Sequence, residues 1–496
     1  MSDKRPNIIF IMADDHPSNA ISCYDSYLSE KVKTPNIDRI AEEGMRLDSC
    51  FCVNSICTPS RASILSGQYG HKNGVKILFD DWADHSVNVA KMLQNNGYET
   101  AMIGKWHLRT EPVGFDYYNV LPGQGDYIDP KFKEKGDPWE YHNDGGKVVE
   151  GYVTDLITDM TIDWIENREN DDEPFFLMSH HKAPHWPQTP AKKYEGMFDD
   201  VELPVPPTLY EENDKNHGSP ATNPYVATLS NGVVDRGYNV VKGKEGAPYR
   251  VDSNEELKEK FQKVAKKILT CSASLDESVG RILDYLEETG LAENTMVIYT
   301  SDQGRFLGEH NLVDKRLMYE ESLRMPFVIK YPKEIEAGSV NDDIITNIDF
   351  APTFLDFAGV PIPDEMQGRS FKSILQGDTP KDWRDSMYYR YWMHLHQLGM
   401  PAHYGIRTNK YKLIFFYGIG LADDAKFLEY SKYRTQPGWE LYDIENDPYE
   451  TNNIYPEMKD TKVVKDLKDR LLELKEKYED TDEEYPELME VRKEYW

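Results

Sequence analysis

The sequence predicts an α/β fold, in which a large, central, mostly parallel β-sheet is sandwiched by helices and a smaller C-terminal antiparallel sheet with a helix follows. Short apolar runs of strand length alternate with amphipathic helical patterns, as in sheets that are buried on both faces. Near residue 380 this pattern gives way to short aromatic-rich segments that are typical of antiparallel strands. The 496 residues suffice for two cores, so we expect a large domain at 1–380 and a subdomain at 381–496.

The first strand is the apolar run from Asn7 to Ala13, and Asp14 and Asp15 follow it directly. Ligands of open α/β sheets collect at the carboxyl ends of the strands. Adjacent carboxylates in such a loop are also common as solvated turn residues, so the pair alone does not define a site. A helix is expected next, with Pro35 in its first turn and Gly44 at its end.

The segment from Cys57 to Gly67 predicts a short helix that begins at Cys57, because Pro59 lies near its start and Gly67 just past its end. A side chain at that position meets unpaired backbone N–H groups and the positive end of the helix dipole. Arg61 lies one turn further on and can reach the same anion. The segment therefore indicates an anion site with a reactive atom inside it, and a buried structural thiol is the alternative.

Ser86 is expected to cap the next helix, which ends at Gly97, and a strand follows from Tyr98 to Ile103. This strand brings Lys105 and His107 to its carboxyl end, where both side chains can face one cleft. Taken alone, the two residues are better explained as a surface lysine and a half-buried histidine.

Residues 112–151 are rich in Gly, Pro, Asp and Tyr without periodicity, so we expect a long irregular insertion over the cleft. An amphipathic helix at 153–164 and a buried strand at 174–179 come next. That strand leads into a loop with three histidines, among them His185. The prolines of this loop hold it extended, so a single imidazole suffices to face the cleft and a zinc site is not favoured.

Residues 204–250 are polar and contain no strong element, whereas 257–288 predict a long helix. The strand predicted at 295–300 ends beside Asp302 and Gln303, and so delivers a second acidic group to the same sheet edge. The remaining predicted elements are a strand at 326–331, a helix at 348–359, strands at 387–392, 403–408, 411–417 and 439–442, and a helix at 457–478.

Composition excludes several classes of partner. The net charge of −30, from 57 basic and 87 acidic residues, argues against nucleic acid and anionic membranes. The sequence has no apolar run of transmembrane length, and its five cysteines are too few for a disulfide framework. No apolar secretory segment precedes the first strand, so we expect a cytoplasmic protein if Met1 is native, and a periplasmic or secreted one if a leader has been removed.

Four oxygen donors are expected to converge at the sheet edge: Asp14, Asp15, Asp302 and the amide oxygen of Gln303. Three clustered carboxylates repel one another strongly unless a cation lies between them. Hard oxygen ligands suit Ca²⁺ or Mg²⁺, and the absence of a thiolate–histidine set argues against zinc. The donors themselves leave Ca²⁺ and Mg²⁺ both open.

The string Cys57-Thr58-Pro59-Ser60-Arg61 and the strand-end residues resemble the type I, formylglycine-dependent sulfatases of the alkaline phosphatase superfamily. The resemblance runs from Asn7 to the C-terminal subdomain and implies an alkaline phosphatase-like fold. It implies that a separate maturating enzyme oxidises Cys57 to formylglycine (3-oxoalanine), and that the four oxygen donors bind calcium. Gln303 departs from the asparagine that is commonest in the family.

The same resemblance implies a role for each remaining polar residue of the site. Arg61 and Lys105 would stabilise the hydrated aldehyde and the sulfate, while His185 and Lys315 would bind sulfate and protonate the leaving alcohol. The reaction would be a two-step transfer in which one hydroxyl of the aldehyde hydrate, activated by the metal and by Asp302, attacks sulfur. His107 would then act as the base that expels sulfate and regenerates the aldehyde.

The substrate implied by the resemblance is a sulfated carbohydrate of glycosaminoglycan type, cleaved from a chain end. The segments 389–392 and 403–407 resemble those of bacterial sulfatases that act on glycans, so the C-terminal subdomain is expected to contribute to the pocket. Aromatic and basic side chains suit a charged sugar, although a place in an aromatic core is the alternative for most of them. The residues expected to rim the pocket are Arg305, His310, Arg316, Trp392, His394, His396, His403 and Arg407.

Two other functions stay open from the sequence. Phosphonate monoester and phosphodiester hydrolases of the same superfamily use the same cysteine-derived aldehyde. A protein that binds sulfated glycans without catalysis would keep Cys57 unmodified, but it would not need the full set of lysines and histidines around that residue.

Overall fold

A computed structural model describes residues 4–139, 143–168, 170, 173–211, 226, 228–230, 253–396, 398–421 and 433–496. Its strands are β1 (Asn7–Ala13), β2 (Met45–Leu47), β3 (Cys50–Phe51), β4 (Glu99–Lys105), β5 (Tyr117–Leu121), β6 (Lys131–Glu134), β7 (Lys147–Val148), β8 (Phe175–His180), β9 (Thr295–Ser301), β10 (Phe306–Leu307), β11 (Val313–Asp314), β12 (Phe327–Lys330), β13 (Ser339–Asn341), β14 (Ile345–Thr346), β15 (Ser386–Tyr391), β16 (His403–Thr408), β17 (Tyr411–Phe416) and β18 (Gly438–Asp443).

The described α-helices are α1 (Pro35–Glu42), α2 (Cys57–Ser66), α3 (Gly70–Asn73), α4 (Val89–Asn95), α5 (Val153–Glu166), α6 (Asn254–Glu288), α7 (Glu320–Leu323), α8 (Phe350–Phe357), α9 (Lys372–Leu375), α10 (Tyr455–Met458), α11 (Lys462–Lys477) and α12 (Pro486–Tyr495). None of these helices combines the length and the apolar character that crossing a lipid bilayer requires.

Ten described strands form the large sheet, in the order β13-β2-β12-β9-β1-β8-β4-β5-β6-β7. The five central strands, β9 to β5, pair in parallel, whereas β12, β6 and β7 pair antiparallel with their neighbours toward the edges. The parallel strands all end at the same edge of the sheet, which positions the residues that follow them near one another. The predicted α/β fold class is confirmed.

The central strand β1 separates two hydrophobic cores. Phe10 and Met12 face a core that also contains side chains of α2, α4 and α8. Ile9 and Ile11 face the other core, which contains side chains of α1, α5 and α6. This alternation explains why the strand is apolar throughout, because both of its faces are covered by helices.

The smaller sheet is antiparallel, in the order β15-β16-β17-β18, and α11 packs on it. Its apolar residues, such as Tyr404 and Leu413, belong to the same hydrophobic cluster as Phe10 of the large sheet. The division into domains at residue 380 stays a prediction.

Three expectations about individual elements are corrected. Asn88 rather than Ser86 caps α4, because its side chain accepts a hydrogen bond from the N–H of Ala90. The segment 112–151 is not wholly irregular, since it contributes β5, β6 and β7 to the sheet. The C-terminal helix predicted at 457–478 is divided into α10 and α11. Most of the segment 204–250 lies outside the described residues.

Gly104 lets β4 lie close to β8 just before Lys105. It pairs with His180 and has a φ of +94°, a conformation that side chains disfavour. A Cβ atom at this position would overlap the carbonyl oxygen of His180 and lie 2.9 Å from Cδ1 of Ile157. The register of the strand that carries Lys105 therefore depends on the lack of a side chain here.

Gly104→Ala should destabilise the protein more than Gly136→Ala does. Gly136 has a similar φ of +99°, but among the described residues, its chain neighbours aside, no atom lies within 4 Å of the position that its added methyl group would occupy. The control therefore has the backbone strain without the overlap. We expect the overlap to cost about 1–3 kcal/mol in the free energy of unfolding beyond the control, measured by urea denaturation. Equal losses in the two variants would contradict this role of the close strand contact.

Candidate active site

Three carboxylates meet where β1 and β9 end. Ala13 and Ser301 are paired in these parallel strands, so the residues that follow them emerge side by side. Asp14, Asp15 and Asp302 are each 0 % exposed, and one oxygen atom from each lies within 4.8 Å of the others. The backbone N–H of Asp15 also donates to Oδ1 of Asp302 at 3.2 Å. Such a group of buried carboxylates could hold a metal ion.

Gln303 fits the same ion-binding role. Its Nε2 donates to Asp15 Oδ1 at 2.5 Å and to Asp302 Oδ1 at 2.6 Å, while its buried Oε1 has no hydrogen-bond partner among the described residues. A rotation of the side-chain amide group by about 180° exchanges the positions of Nε2 and Oε1, so that Oε1 faces the carboxylates. The chain then offers four oxygen donors around one point, a set that suits a hard divalent cation.

Basic side chains pair with the two carboxylates that follow β1. Lys105 contacts Asp14, Lys315 contacts Asp15, and Arg305 Nη1 donates to Asp15 Oδ2 at 2.7 Å. Burial alone would raise the pKa of both acids, but the neighbouring cations lower that of Asp14 well below its usual range and that of Asp15 to about 2. Both carboxylates are therefore ionised at neutral pH.

Arg61 connects α2 to two strand ends. Its Nε donates to Asp302 Oδ2 at 3.0 Å and its Nη1 donates to the main-chain carbonyl of Lys105 at 2.6 Å. Burial and the charge of Asp14 raise the pKa of Asp302 to about 7, in spite of the opposing charge of Arg61. An added cation would therefore change the ionisation of Asp302 more than that of the other two carboxylates.

Cys57 begins α2 at the centre of this cluster. Its Sγ lies 3.6 Å from Asp14 Oδ1 and 3.3 Å from Lys315 Nζ, and the residue is only 2 % exposed. Burial raises the pKa of the thiol to about 12, although the charge of Lys315 opposes the shift. The unmodified side chain is therefore a neutral thiol at neutral pH and a poor nucleophile.

Two histidines lie beside the same cluster. His185 Nδ1 donates to the carbonyl of Trp186 at 2.6 Å, and its Nε2 lies 3.9 Å from Asp15 Oδ2. His107 Nδ1 lies 3.5 Å from Oγ1 of Thr58 in α2. Burial, and then the charge of Lys105, lowers the pKa of both histidines well below the usual value. Both imidazoles are therefore neutral at neutral pH.

A cavity of about 230 Å³ opens above Cys57. Its lining includes four residues that were expected from the sequence to share one pocket: Cys57, His185, Lys315 and Arg316. Trp186, which is 39 % exposed, and Leu78 add apolar surface. The other lining residues are Ile56, Gln124, Gly125, Lys182 and Pro187.

Gln124, Lys182 and Trp186 were not singled out from the sequence. Gln124 belongs to the segment that was expected to be irregular, and its side chain accepts a hydrogen bond from Lys105 Nζ at 2.5 Å. Lys182 and Trp186 lie in the same loop as His185, and their closeness to that residue in the chain was the available signal.

Four residues of the C-terminal sheet region that were expected to rim the pocket are not among the described residues that line this cavity, and their role in substrate binding stays a prediction. His403 is stacked among Tyr389, Tyr391 and Phe416. The other three are likewise engaged within the protein: Trp392 under the guanidinium of Arg390, His394 with the main chain of Ala402 and Tyr433, and Arg407 with Glu320. Each of these side chains is buried because the aromatic strands form a core.

The remaining rim candidates are divided. Arg316 lines the cavity, whereas Arg305 contacts Asp15 beneath it. His310 is buried and its Nδ1 donates to Glu211 at 2.8 Å. Burial would lower the pKa of His310, but its bonds to glutamates raise it to about 10. His396 packs its ring edge-on against Phe79, and neither histidine is among the described residues that line the cavity.

Comparison with protein families gives two matches along the chain. Residues 6–360 match the model described as Sulfatase, and residues 308–477 match the model described as N-sulphoglucosamine sulphohydrolase, C-terminal. The first match covers more than half of the chain and includes all the residues of the carboxylate cluster.

Individual relatives agree with these matches. The chain is 41 % identical to an N-acetylglucosamine-6-O-sulfatase of Bacteroides thetaiotaomicron, over 98 % of this chain and 89 % of the relative. It is 28 % identical to the N-acetylglucosamine-6-sulfatase of Homo sapiens, over 78 % and 67 %. A solved structure of a protein in complex with its substrate D-glucosamine-2-N,6-O-disulfate superposes with a TM-score of 0.82 and 39 % identity, over 97 % and 99 %.

Calcium should raise the melting temperature of chelator-treated protein, because a cation relieves the repulsion among the three buried carboxylates. At a calcium concentration of 100 times Kd the gain is about 2.7 kcal/mol. Asp302→Asn should lose most of this calcium-dependent gain, whereas Asp378→Asn, at an exposed position, should keep it. Thermal unfolding followed by circular dichroism measures both effects, and a melting temperature that calcium leaves unchanged would contradict the site.

Proposed function

This chain belongs to the sulfatase family and is a sulfuric ester hydrolase, and from that premise we propose that it removes a 6-O-sulfate from N-acetylglucosamine or a related glucosamine at a glycan chain end. The carrying observation is the position of Cys57, which begins a buried helix beside three carboxylates at the floor of a cavity. The names of the two sulfatase relatives and the substrate of the solved structure support the choice of sugar.

We propose that Cys57 is converted to formylglycine by a maturating enzyme. The neutral, buried thiol supports this proposal, since the unmodified side chain is poorly suited to attack a sulfate ester. The hydrated aldehyde would supply a nucleophilic hydroxyl and a second hydroxyl for release of the sulfate. A thiosulfate ester formed on an unmodified cysteine would lack that second group.

Asp14, Asp15, Asp302 and Gln303 would hold a hard divalent cation, because all four donors are oxygen atoms. We propose Ca²⁺ rather than Mg²⁺, as the resemblance to the sulfatases implies. When bound, the cation supplies electrostatic stabilisation of an oxyanion, and so it favours the deprotonated form of a nearby hydroxyl group. Asp302 gains an ionised state at neutral pH by the same interaction, since its pKa without the cation is about 7.

Arg61, Lys105 and Lys315 would stabilise the sulfate. All three are buried cations around Cys57, where the surrounding protein screens charge less than water does. Arg61 has a positioning role as well, because it fixes both the Asp302 carboxylate and the main chain at Lys105. A monoanionic sulfate ester therefore enters a local cationic site in a protein whose net charge is −30.

Lys315 is the better candidate for protonating the leaving alcohol. Its Nζ lies 3.3 Å from Cys57 Sγ, so it is close to the reacting group. His185 carries its available proton on Nδ1, which donates to Trp186, and its lowered pKa leaves Nε2 unprotonated at neutral pH. His107, neutral for the same reason, is suited to act as the base that releases the sulfate.

The cavity supports a sugar as the alcohol portion of the substrate. The partly exposed ring of Trp186 offers an apolar face beside the polar groups of the floor. Such a combination of an aromatic surface and a few convergent polar side chains is typical of small-ligand sites. A pocket of about 230 Å³ suits a terminal residue better than an internal segment of a glycan.

Release of inorganic sulfate from N-acetylglucosamine-6-O-sulfate tests the proposal directly. The protein should be produced with a sulfatase-maturating enzyme, and peptide mass spectrometry should show the aldehyde at position 57. Aryl phosphonate and phosphodiester substrates, assayed in parallel, should be turned over far more slowly. Faster cleavage of either of those compounds than of the sulfated sugar would contradict the proposed function.

Cys57→Ala should bind the substrate but turn over essentially none, because its methyl side chain cannot become the aldehyde. Cys57→Ser should behave in the same way when the protein is produced with a maturating enzyme that oxidises cysteine and not serine. Cys23→Ser is the matched control, since Cys23 is the only partly exposed cysteine in the described chain and lies outside the cavity. It should retain nearly full activity. Full activity in either variant at position 57 would remove this mechanism.

Lys315→Met should slow the reaction of the sugar sulfate much more than that of an aryl sulfate. A sugar alkoxide needs a proton to leave, whereas an acidic phenol does not, and general acid catalysis typically contributes about 10²–10⁴-fold. The measurement is kcat for both substrates with the native protein, Lys315→Met and His185→Asn. If only His185→Asn shows the dependence on the leaving group, the proton donor has been assigned to the wrong residue.

A further inference from the structure

Lys182 is a buried cation in the wall of the cavity. It lies in the loop between β8 and His185, it is only 1 % exposed, and it lines the same cavity as Cys57. Burial, and then the nearby charge of Lys105, lowers its pKa to about 8, so the ammonium group is largely protonated at neutral pH. The functions proposed above for the sulfate site do not use this charge.

The other two cations in the cavity wall have carboxylate partners. Lys315 pairs with Asp15, and Arg316 pairs with Asp314. Within the described part of the chain, no carboxylate lies within salt-bridge distance of Lys182. Its Nζ instead donates to the main-chain carbonyl of Gln124 at 3.1 Å and lies 5.0 Å from the centre of the Tyr127 ring.

The position of Lys182 is fixed by a built arrangement of residues. Gln124 contacts two ammonium groups through different atoms, its side-chain oxygen facing Lys105 and its main-chain oxygen facing Lys182. Tyr127 donates from its hydroxyl to the main-chain carbonyl of His185 at 2.7 Å, which ties the same segment to the loop that carries Lys182. The ammonium groups of Lys105 and Lys182 therefore occupy separate positions, each beside a different oxygen atom of Gln124.

We propose that Lys182 binds a second anionic group of the substrate, a sulfate or a carboxylate, next to the sulfate ester that is hydrolysed. The inference rests on the proposed function, because it requires a sulfated sugar in this cavity. Asp14, Asp126 and Asp15 act on Lys182 from beyond salt-bridge distance, so the buried ammonium group has no carboxylate in direct contact. Such burial is costly, and an anion that enters the cavity supplies a direct partner. Charge-assisted hydrogen bonds of this kind are among the stronger ones in proteins.

Two sources of the second anion share this chemistry. An N-sulfate lies on the same glucosamine as a 6-O-sulfate, and the solved relative has D-glucosamine-2-N,6-O-disulfate as its substrate. A hexuronic acid carboxylate would lie on the neighbouring sugar of a glycosaminoglycan chain. The substrates for the test are chosen to distinguish these two sources.

The experiment compares kcat/KM of the matured native enzyme and of Lys182→Met on three substrates. These are N-acetylglucosamine-6-O-sulfate, glucosamine-2-N,6-O-disulfate, and a disaccharide of N-acetylglucosamine-6-O-sulfate with a hexuronic acid. We expect Lys182→Met to lower kcat/KM by roughly tenfold or more, mainly through KM, for at least one of the substrates with a second anion. The loss for the monosulfated sugar should be less than about twofold on the same reasoning.

Two further variants control the comparison. Lys182→Arg keeps the positive charge and should retain most of the selectivity, while Lys147→Met removes a lysine whose side chain is 72 % exposed and should change nothing. A loss confined to the disulfate identifies the N-sulfate as the partner, and a loss confined to the disaccharide identifies the carboxylate.

Equal losses on all three substrates would overturn the inference, because Lys182 would then act through the fold or the common reaction centre. An unchanged kcat/KM on all three would overturn it as well. If the native, matured enzyme releases sulfate from none of the three sugars, the proposed function itself has failed and the inference fails with it. That outcome is distinguishable because it is seen before any substitution is made.

Discussion

Electrostatic repulsion among three buried carboxylates is the constraint on which this structure depends. Asp14, Asp15 and Asp302 meet at one edge of the parallel sheet, where water cannot screen their charges. Arg61 from α2, Lys105 from β4 and Lys315 from the loop after β11 all compensate them. These ion pairs bring distant parts of the chain to one point. The same interactions that offset the repulsion among the carboxylates also position the groups around Cys57.

Much of this arrangement follows from local sequence signals. The apolar runs that become β1, β8 and β9 predict parallel strands, and parallel strands direct their following residues to a common edge. Pro59 and Gly67 mark the start and the end of α2 in the sequence. In the structure the helix begins at Cys57 and ends at Ser66, and Gly67, which follows it, has a left-handed backbone conformation. The closeness of Asp14, Asp15, Asp302 and Cys57 was predictable for this reason, since the three acids follow β1 or β9 and Cys57 begins α2.

Residues set by tertiary contacts were not predictable in the same way. The composition of the aromatic strands β15 to β18 is compatible both with a sugar-binding surface and with a hydrophobic core. In the structure His403 and Trp392 are buried in the core. Gln124 lies in a segment without periodicity, so its contacts with two lysines depend on how that segment folds back over the sheet edge. Short strands such as β6 and β7 likewise depend on their partners more than on their own sequence.

The burial of α2 has a consequence for the order of events during biosynthesis. All ten residues of this helix are buried, and the thiol at its start lies at the cavity floor among charged side chains. The residues that flank the cysteine in this helix are not exposed in the folded protein. An enzyme that had to contact those flanking residues in order to convert Cys57 would therefore act before the helix is buried.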